Sequence, residues 1–221
     1  AVDGRADNVP VVAAVDGNAV QLVACADVTC DPAADGYVVR TVSGVGEVAT
    51  YLALTISEGG NPLIAYYDAN SDVLRSVACA DSTCNPETPG YSTYILDDTA
   101  NVGEFVRIAT RPGGLPVMVY EDSTADTIKY IRCGDAACDP NHPDFLRQVV
   151  ANSVGNDPWV SVAVGLDDRP VISYHDSTLG TLRLAVCADI NCDPMAAGFS
   201  DVLVDNDGVA VGTQNSLRLS I

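Results

Sequence analysis

Apolar and polar residues alternate in short runs along this chain, and Gly, Asp, Asn and Pro break the runs every few residues. Leu182, Leu184 and Val186 stand against Arg183, Ala185 and Cys187, and Ile128, Tyr130 and Arg132 against Lys129, Ile131 and Cys133. That is the period-2 pattern of strands with two distinct faces. Over residues 159–204 it predicts four short strands: A over 159–164, B over 170–174, C over 181–187 and D over 199–204. Nothing helical intervenes, so the fold class is all-β.

The pattern repeats. Eight cysteines fall in four pairs, Cys25 with Cys30, Cys79 with Cys84, Cys133 with Cys138 and Cys187 with Cys192, whose first members are 54 residues apart without drift. Pro32, Pro86, Pro140 and Pro194 follow each pair, and Tyr37, Tyr91, Phe145 and Phe199 follow the prolines, at the same interval of 54. Upstream, Pro62-Leu-Ile-Ala-Tyr-Tyr-Asp68 recurs as Pro116-Val-Met-Val-Tyr-Glu-Asp122 and Pro170-Val-Ile-Ser-Tyr-His-Asp176, with a worn copy at Pro10-Val-Val-Ala-Ala-Val-Asp16. Between strands B and C, Asp16-Gly17-Asn18 and the longer Asp-rich copies read as hairpin loops. Four-stranded units of about 40 to 55 residues are the blades of β-propellers. The expectation is one domain over 1–221, a four-bladed β-propeller of four repeats of 54 residues, with four antiparallel strands per blade.

The phrases at 170–176, 182–189 and 51–54 resemble repeats of secreted bacterial β-propeller-like proteins, across essentially the whole chain. The resemblance implies the fold and an extracytoplasmic location, and says little of function, because propellers host enzymes, lectins and scaffolds alike. The first unit departs most, with Ala14 and Val15 where the others have Tyr followed by Tyr, Glu or His.

The chain begins just before a strand B and finishes with a segment, Asn215, Ser216, Leu217, Arg218, Leu219, Ser220 and Ile221, that resembles strand A. One blade is therefore expected to be split between the termini. If the last strand completes the first sheet, the ring closes and hides an edge. If it completes the sheet of another molecule, the contact is head-to-tail self-association and builds a fibre.

Charge narrows the partners. Eleven Lys and Arg against 30 Asp and Glu give a net charge of -19, which repels phosphate backbones and anionic lipid. Nucleic acid and membrane insertion are not expected, and no window approaches the ~18 apolar residues of a membrane-spanning helix. The first residues show no leader pattern, so any signal peptide is expected to be gone.

For the thiols, zinc and disulfides compete. Each pair lies at the end of its own strand C and only His142 and His175 could join them, so a local disulfide in each unit is the better account, and it implies an oxidising, extracellular or cell-surface setting. Each bridge is expected to restrain a short loop that has few other contacts. Calcium is the one cofactor considered. Asp68, Asn70 and Asp72 begin like a calcium loop, but Val73 and Cys79 stand where an EF-hand needs Gly and Glu. Asp122, Asp176, Asp205 and Asp207 are the other carboxylates offered to Ca²⁺.

No nucleophile, zinc-protease, phosphate or dinucleotide motif is present, and the two histidines do not recur at the period. Paired carboxylates that hydrolyse glycosides cannot be found by spacing when their partners sit on different blades. The aromatic residues Tyr51, Phe105 and Trp159 in strand A, and Tyr66, Tyr120 and Tyr174 in strand B, are expected to pack between blades. The reading that results is a non-catalytic extracellular structural or interaction protein, a surface, matrix or filament subunit. Its alternative is a carbohydrate-binding propeller with an extracellular glycan as partner.

Overall fold

A computed structural model describes residues 1–5, 7–31, 33, 36–99, 101–205 and 216–217. The described residues form four antiparallel four-stranded sheets in chain order, and no helix is among them. The first sheet is β1 (Val2–Gly4), β2 (Pro10–Asp16), β3 (Ala19–Cys25) and β4 (Tyr37–Thr41). The second is β5 (Ala49–Ile56), β6 (Pro62–Asp68), β7 (Val73–Ala78) and β8 (Ser92–Asp97). The third is β9 (Val102–Thr110), β10 (Pro116–Asp122), β11 (Thr127–Arg132) and β12 (Leu146–Asn152). The fourth is β13 (Ser161–Val164), β14 (Pro170–Asp176), β15 (Thr181–Val186) and β16 (Ser200–Asp205). Each strand pairs with its sequence neighbour, as short hairpin loops dictate, and the result is the β-propeller-like, four-blade architecture that the repeat predicts.

The expected closure differs in its strands. The position beside β2 is held by β1, with Val2 opposite Val12 and Gly4 opposite Pro10, so the first sheet draws all four of its strands from the amino-terminal region. Asn215, Leu219 and Ile221 lie outside the described residues. Leu217 is described, and its backbone N–H donates to Ser161 Oγ at 3.0 Å, beside the fourth sheet.

Apolar faces pack sheet on sheet. One buried cluster joins the first and second sheets through Val11, Leu22, Ile64 and Tyr66. Another joins the second and third through Leu63, Leu74, Met118 and Tyr120, and a third joins the third and fourth through Val119, Tyr130, Ile172 and Tyr174. The strand B tyrosines therefore pack between blades as expected, and each places its hydroxyl on a carboxylate: Tyr66 on Glu47 at 2.5 Å, Tyr120 on Asp97 at 2.7 Å and Tyr174 on Asp201 at 2.9 Å. A buried phenol needs such a partner to offset the loss of water.

The eight cysteines form the four local disulfides that their spacing predicts, Cys25 to Cys30, Cys79 to Cys84, Cys133 to Cys138 and Cys187 to Cys192, and none is free. The expectation of loops with few other contacts is corrected in three of the four units. Cys84, Cys138 and Cys192 are fully buried, each within one of the clusters between blades, and only Cys30 is partly exposed. The physical reason is the neighbouring blade, which covers a turn that all four loops share. Cys30, Cys84, Cys138 and Cys192 all take a positive φ, between 52° and 55°, which folds the loop back toward its own strand C. An aspartate two residues into each loop steadies this turn. Asp81, for example, accepts the amides of Thr83 and Asn85 and the hydroxyls of Thr83 and Thr88. No helix of the described residues is long and apolar enough to cross a membrane.

Candidate functional site

The strand A aromatics have a role that alternation does not predict. Tyr51, Phe105 and Trp159 all have positive φ, 48°, 53° and 41°, which is rare for aromatic residues. Register shifts lie beside two of them, between Thr50 and Ala53 on β5 and across the β9–β10 pair near Glu121. A bulge of this kind turns a side chain out of its sheet's regular facing. The three rings meet in a row across three blades, Tyr51 tilted against Phe105 with centroids 4.6 Å apart and Phe105 edge-to-face with Trp159 at 4.9 Å. Phe105 is buried and also belongs to the core between the third and fourth sheets, whereas Tyr51 remains 38% exposed. Backbone held in sparsely populated conformations at equivalent places in three repeats is the kind of strain that concentrates at functional sites.

Carboxylates lie near this row. Tyr67, Glu121 and His175 are repeat-equivalent, each the next-to-last residue of its strand B. Glu121 lies directly across the ladder from Glu104, the residue before Phe105, so the two side chains share a face. Glu121 is only 1% exposed, and neither of its carboxyl oxygens has a hydrogen-bond partner among the described residues. Burial, then the negative charges of Glu104 and Asp157, push its carboxyl up to about 8, with the Asp157 backbone amide opposing them weakly. Glu104 is itself raised, by burial and by Asp157 and Asp72. The Tyr51 phenol is raised by burial and by Glu104, Asp157 and Glu121, which puts the exposed ring and the three carboxylates in one neighbourhood. His175 is 6% exposed and neither ring nitrogen has a hydrogen-bond partner among the described residues. The Tyr67 hydroxyl lies 2.8 Å from Asp72 Oδ1 and 2.6 Å from Asn101 Oδ1.

The arrangement is an aromatic ring with an open face close to a pair of facing glutamates, one of them buried. It can stack an apolar ring face, accept hydrogen bonds from hydroxyl or amine donors, and deliver a proton from Glu121 near neutral pH. Glu104 and Asp157 are absent from the residues that the sequence singles out. Their signal was weak: each stands one or two places before a strand A aromatic, in a chain with 30 acidic residues.

The carboxylates offered to calcium do other work. Asp68 accepts the amides of Val48 and Asn70 and pairs with Arg75 at 2.9 Å. Asp122 pairs with Lys129 at 2.6 Å and accepts the Ala125 amide, and Asp176 accepts the Leu179 amide. These three cap the B-to-C hairpins of three separate sheets. Asn70 lies in the first of those loops, Asp72 meets Tyr67, Asp205 ends β16 and Asp207 lies outside the described residues. Among the described residues no three His, Cys, Asp or Glu side chains converge as a metal's ligands would.

A cavity of about 420 Å³ opens on the outer side of the second and third sheets, lined by Leu96, Asp97, Phe145 and Arg147. Its carboxylate is already satisfied. Asp97 accepts from Tyr120 and pairs with Lys129 at 3.1 Å and Arg147 at 2.7 Å, and these donors outweigh its burial and hold it below its ordinary value. That leaves no unmet group there for a ligand to complete.

No family model and no curated sequence matches the chain. Solved structures do match in fold. A Dyadobacter fermentans protein of unknown function superposes with TM-score 0.59 at 13% identity, over 95% of this chain and 65% of that one. An exo-β-1,3-galactanase from Phanerochaete chrysosporium, solved with galactose, gives 0.54 at 10% identity over 92% and 48%, and a GH43 β-1,3-galactosidase gives 0.55 at 8% over 93% and 45%. The chain thus spans between about half and two thirds of the length of these structures. At such identities the likeness is one of fold, and the fold is the β-propeller. It corrects the expectation of a non-catalytic structural or filament subunit and of no enzyme, since two of these three neighbours are a galactanase and a galactosidase. The carbohydrate alternative is the better of the two readings.

Proposed function

We propose that this chain is a carbohydrate-active β-propeller of an oxidising, extracellular setting, which holds a glycan against the exposed face of Tyr51. One observation carries the reading. Tyr51, an aromatic ring with an open face, stands in an unusual backbone conformation beside Glu104, Glu121 and Asp157. Sugar recognition calls for that combination: the C–H face of a pyranose stacks on an aromatic ring, and its hydroxyls donate to carboxylates. The galactose-containing neighbour and the galactosidase agree in general chemistry, and the four disulfides suit secretion. Binding of the intact chain to a glycan array tests it. Saturable binding that falls at least about tenfold in Tyr51→Ala, with the melting temperature retained, is the expected result. Absence of any glycan ligand, or affinity indifferent to Tyr51→Ala, overturns it.

Hydrolysis is a second reading, favoured by the Glu121–Glu104 pair. A carboxyl kept protonated near neutral pH beside another carboxyl is the composition of a glycoside acid–base pair. Release of reducing ends from a bound oligosaccharide, abolished in Glu121→Gln, is its signature. Binding without turnover leaves the chain a lectin.

A further inference from the structure

We propose that the glycan selected here carries free ammonium groups, an amino sugar that is not N-acetylated, with the cation seated at the Glu121–Glu104 pair beside the Tyr51 ring. The inference rests on the glycan reading and specifies its substrate class. Three observations support it.

First, the charges that bear on Glu121 are of one sign: Glu104, Asp157 and Asp126. Of the cations on the second and third sheets, Arg75 pairs with Asp68 and Glu47, Lys129 with Asp97 and Asp122, and Arg147 with Asp97, while Arg107 on β9 donates to the Val106 carbonyl and is not among the charges that bear on Glu121. Like charges directly opposite on a ladder destabilise it, so Glu121 and Glu104 hold together only with a proton or a cation between them. Second, Glu121 is buried, and neither of its oxygens has a hydrogen bond of good geometry among the described residues, the Asp157 amide acting on it only weakly. A protonated amine brings three N–H donors and the missing charge at once, whereas a neutral hydroxyl brings one donor and no charge. Third, the ring at the mouth is a tyrosine, whose face attracts an ammonium as well as the sugar's C–H groups. The chain's net charge of -19 adds long-range attraction for a polycation.

The proposal has a thermodynamic signature. At a pH between the ordinary carboxylate range and the value of about 8 that Glu121 holds, the ammonium must displace the Glu121 proton. Binding therefore releases a proton to the buffer. Isothermal titration of the intact chain with a glucosamine hexamer and its N-acetylated counterpart, at about pH 5.5 in two buffers of different ionisation enthalpy, reads both quantities. The expected result is at least about tenfold tighter binding of the glucosamine hexamer, with close to one proton released per site. Glu121→Gln should abolish the release and narrow the preference, while Tyr51→Ala weakens both ligands. Equal or tighter binding of the acetylated hexamer, or heats that do not depend on the buffer, overturns the amino-sugar assignment and leaves the glycan reading standing. If neither hexamer binds but an array supplies another Tyr51-dependent glycan, the assignment again fails alone. If the array is also blank, both fail.

Discussion

Asp81 shows how much a single side chain does in the disulfide loops. Burial raises its carboxyl, but the Thr88 and Thr83 hydroxyls and the Asn85 and Thr83 amides outweigh that and hold it at about 2, against an ordinary 3.8. A carboxylate depressed in the folded state contributes stability that is present above its unfolded value and is lost as pH falls toward its folded one. Asp81→Ala should therefore cost about 1 kcal/mol at neutral pH, with the difference from wild type shrinking between about pH 4 and 2. Urea titrations at several pH values read it, and a constant difference across that window would assign the loss to packing. Glu121 has the opposite sign. Its carboxyl is raised from 4.5 to about 8, so the folded state holds a proton that the unfolded state has lost, and stability falls as pH climbs through that interval. Glu121→Gln removes the dependence: it should melt a few degrees above wild type at about pH 9 and close to it at about pH 5, by circular dichroism. A wild type that melts alike at both pH values, as the variant does, would mean Glu121 is ionised throughout.

Strands and turns were largely legible because their determinants are local. The hairpin aspartates, the Cys-x4-Cys loops and the period-2 alternation each act within a few residues, and β6, β10 and β14 lie where the Pro-to-Asp phrase puts them. Burial of Cys84, Cys138 and Cys192 was not legible, because it depends on the neighbouring blade and not on the loop itself. The site was not legible for the reason that alternation worked elsewhere. One extra residue in a bulge shifts every following side chain by one place, and a bulge leaves no compositional mark at Tyr51 or Phe105. Glu104 and Glu121 meet only through the β9–β10 register, which is irregular at that point. Gly103 marks the start of this irregularity. Its φ is +113°, and a Cβ there would stand 2.9 Å from the Leu74 Cβ of the neighbouring sheet. Gly103→Ala combines a disfavoured backbone with a clash against a buried side chain, so a loss of about 2 to 3 kcal/mol is expected in chemical denaturation. Measured in a Leu74→Gly background, which lacks that Cβ, a loss that shrinks would assign it to the contact, and an unchanged loss would assign it to the backbone.

At the scale of the molecule, the repeats are equal in sequence period and unequal in burial. The inner two sheets each pack on two neighbours, and their second strands, β6 and β10, are buried along their whole length. Among the described residues, the first and fourth sheets each share only one of the three buried clusters, and their last strands, β4 and β16, are mostly exposed. Stability in a repeat architecture is close to a sum of unit terms and nearest-neighbour interfaces, so a unit with one interface opens before a unit with two. Amide hydrogen exchange should then be slowest in β6, β7, β10 and β11, and faster by at least about tenfold in β3 and β15, whose own ladders are no shorter. The disulfides cannot level this difference, because each closes a loop within its own blade and none ties one sheet to another. Uniform protection over all four sheets would require a fourth interface joining the last sheet to the first, and the ring would open as one cooperative unit. Graded protection instead puts the most rigid part of the chain under Tyr51, Glu104 and Glu121, where a binding site whose parts come from two adjacent blades needs it.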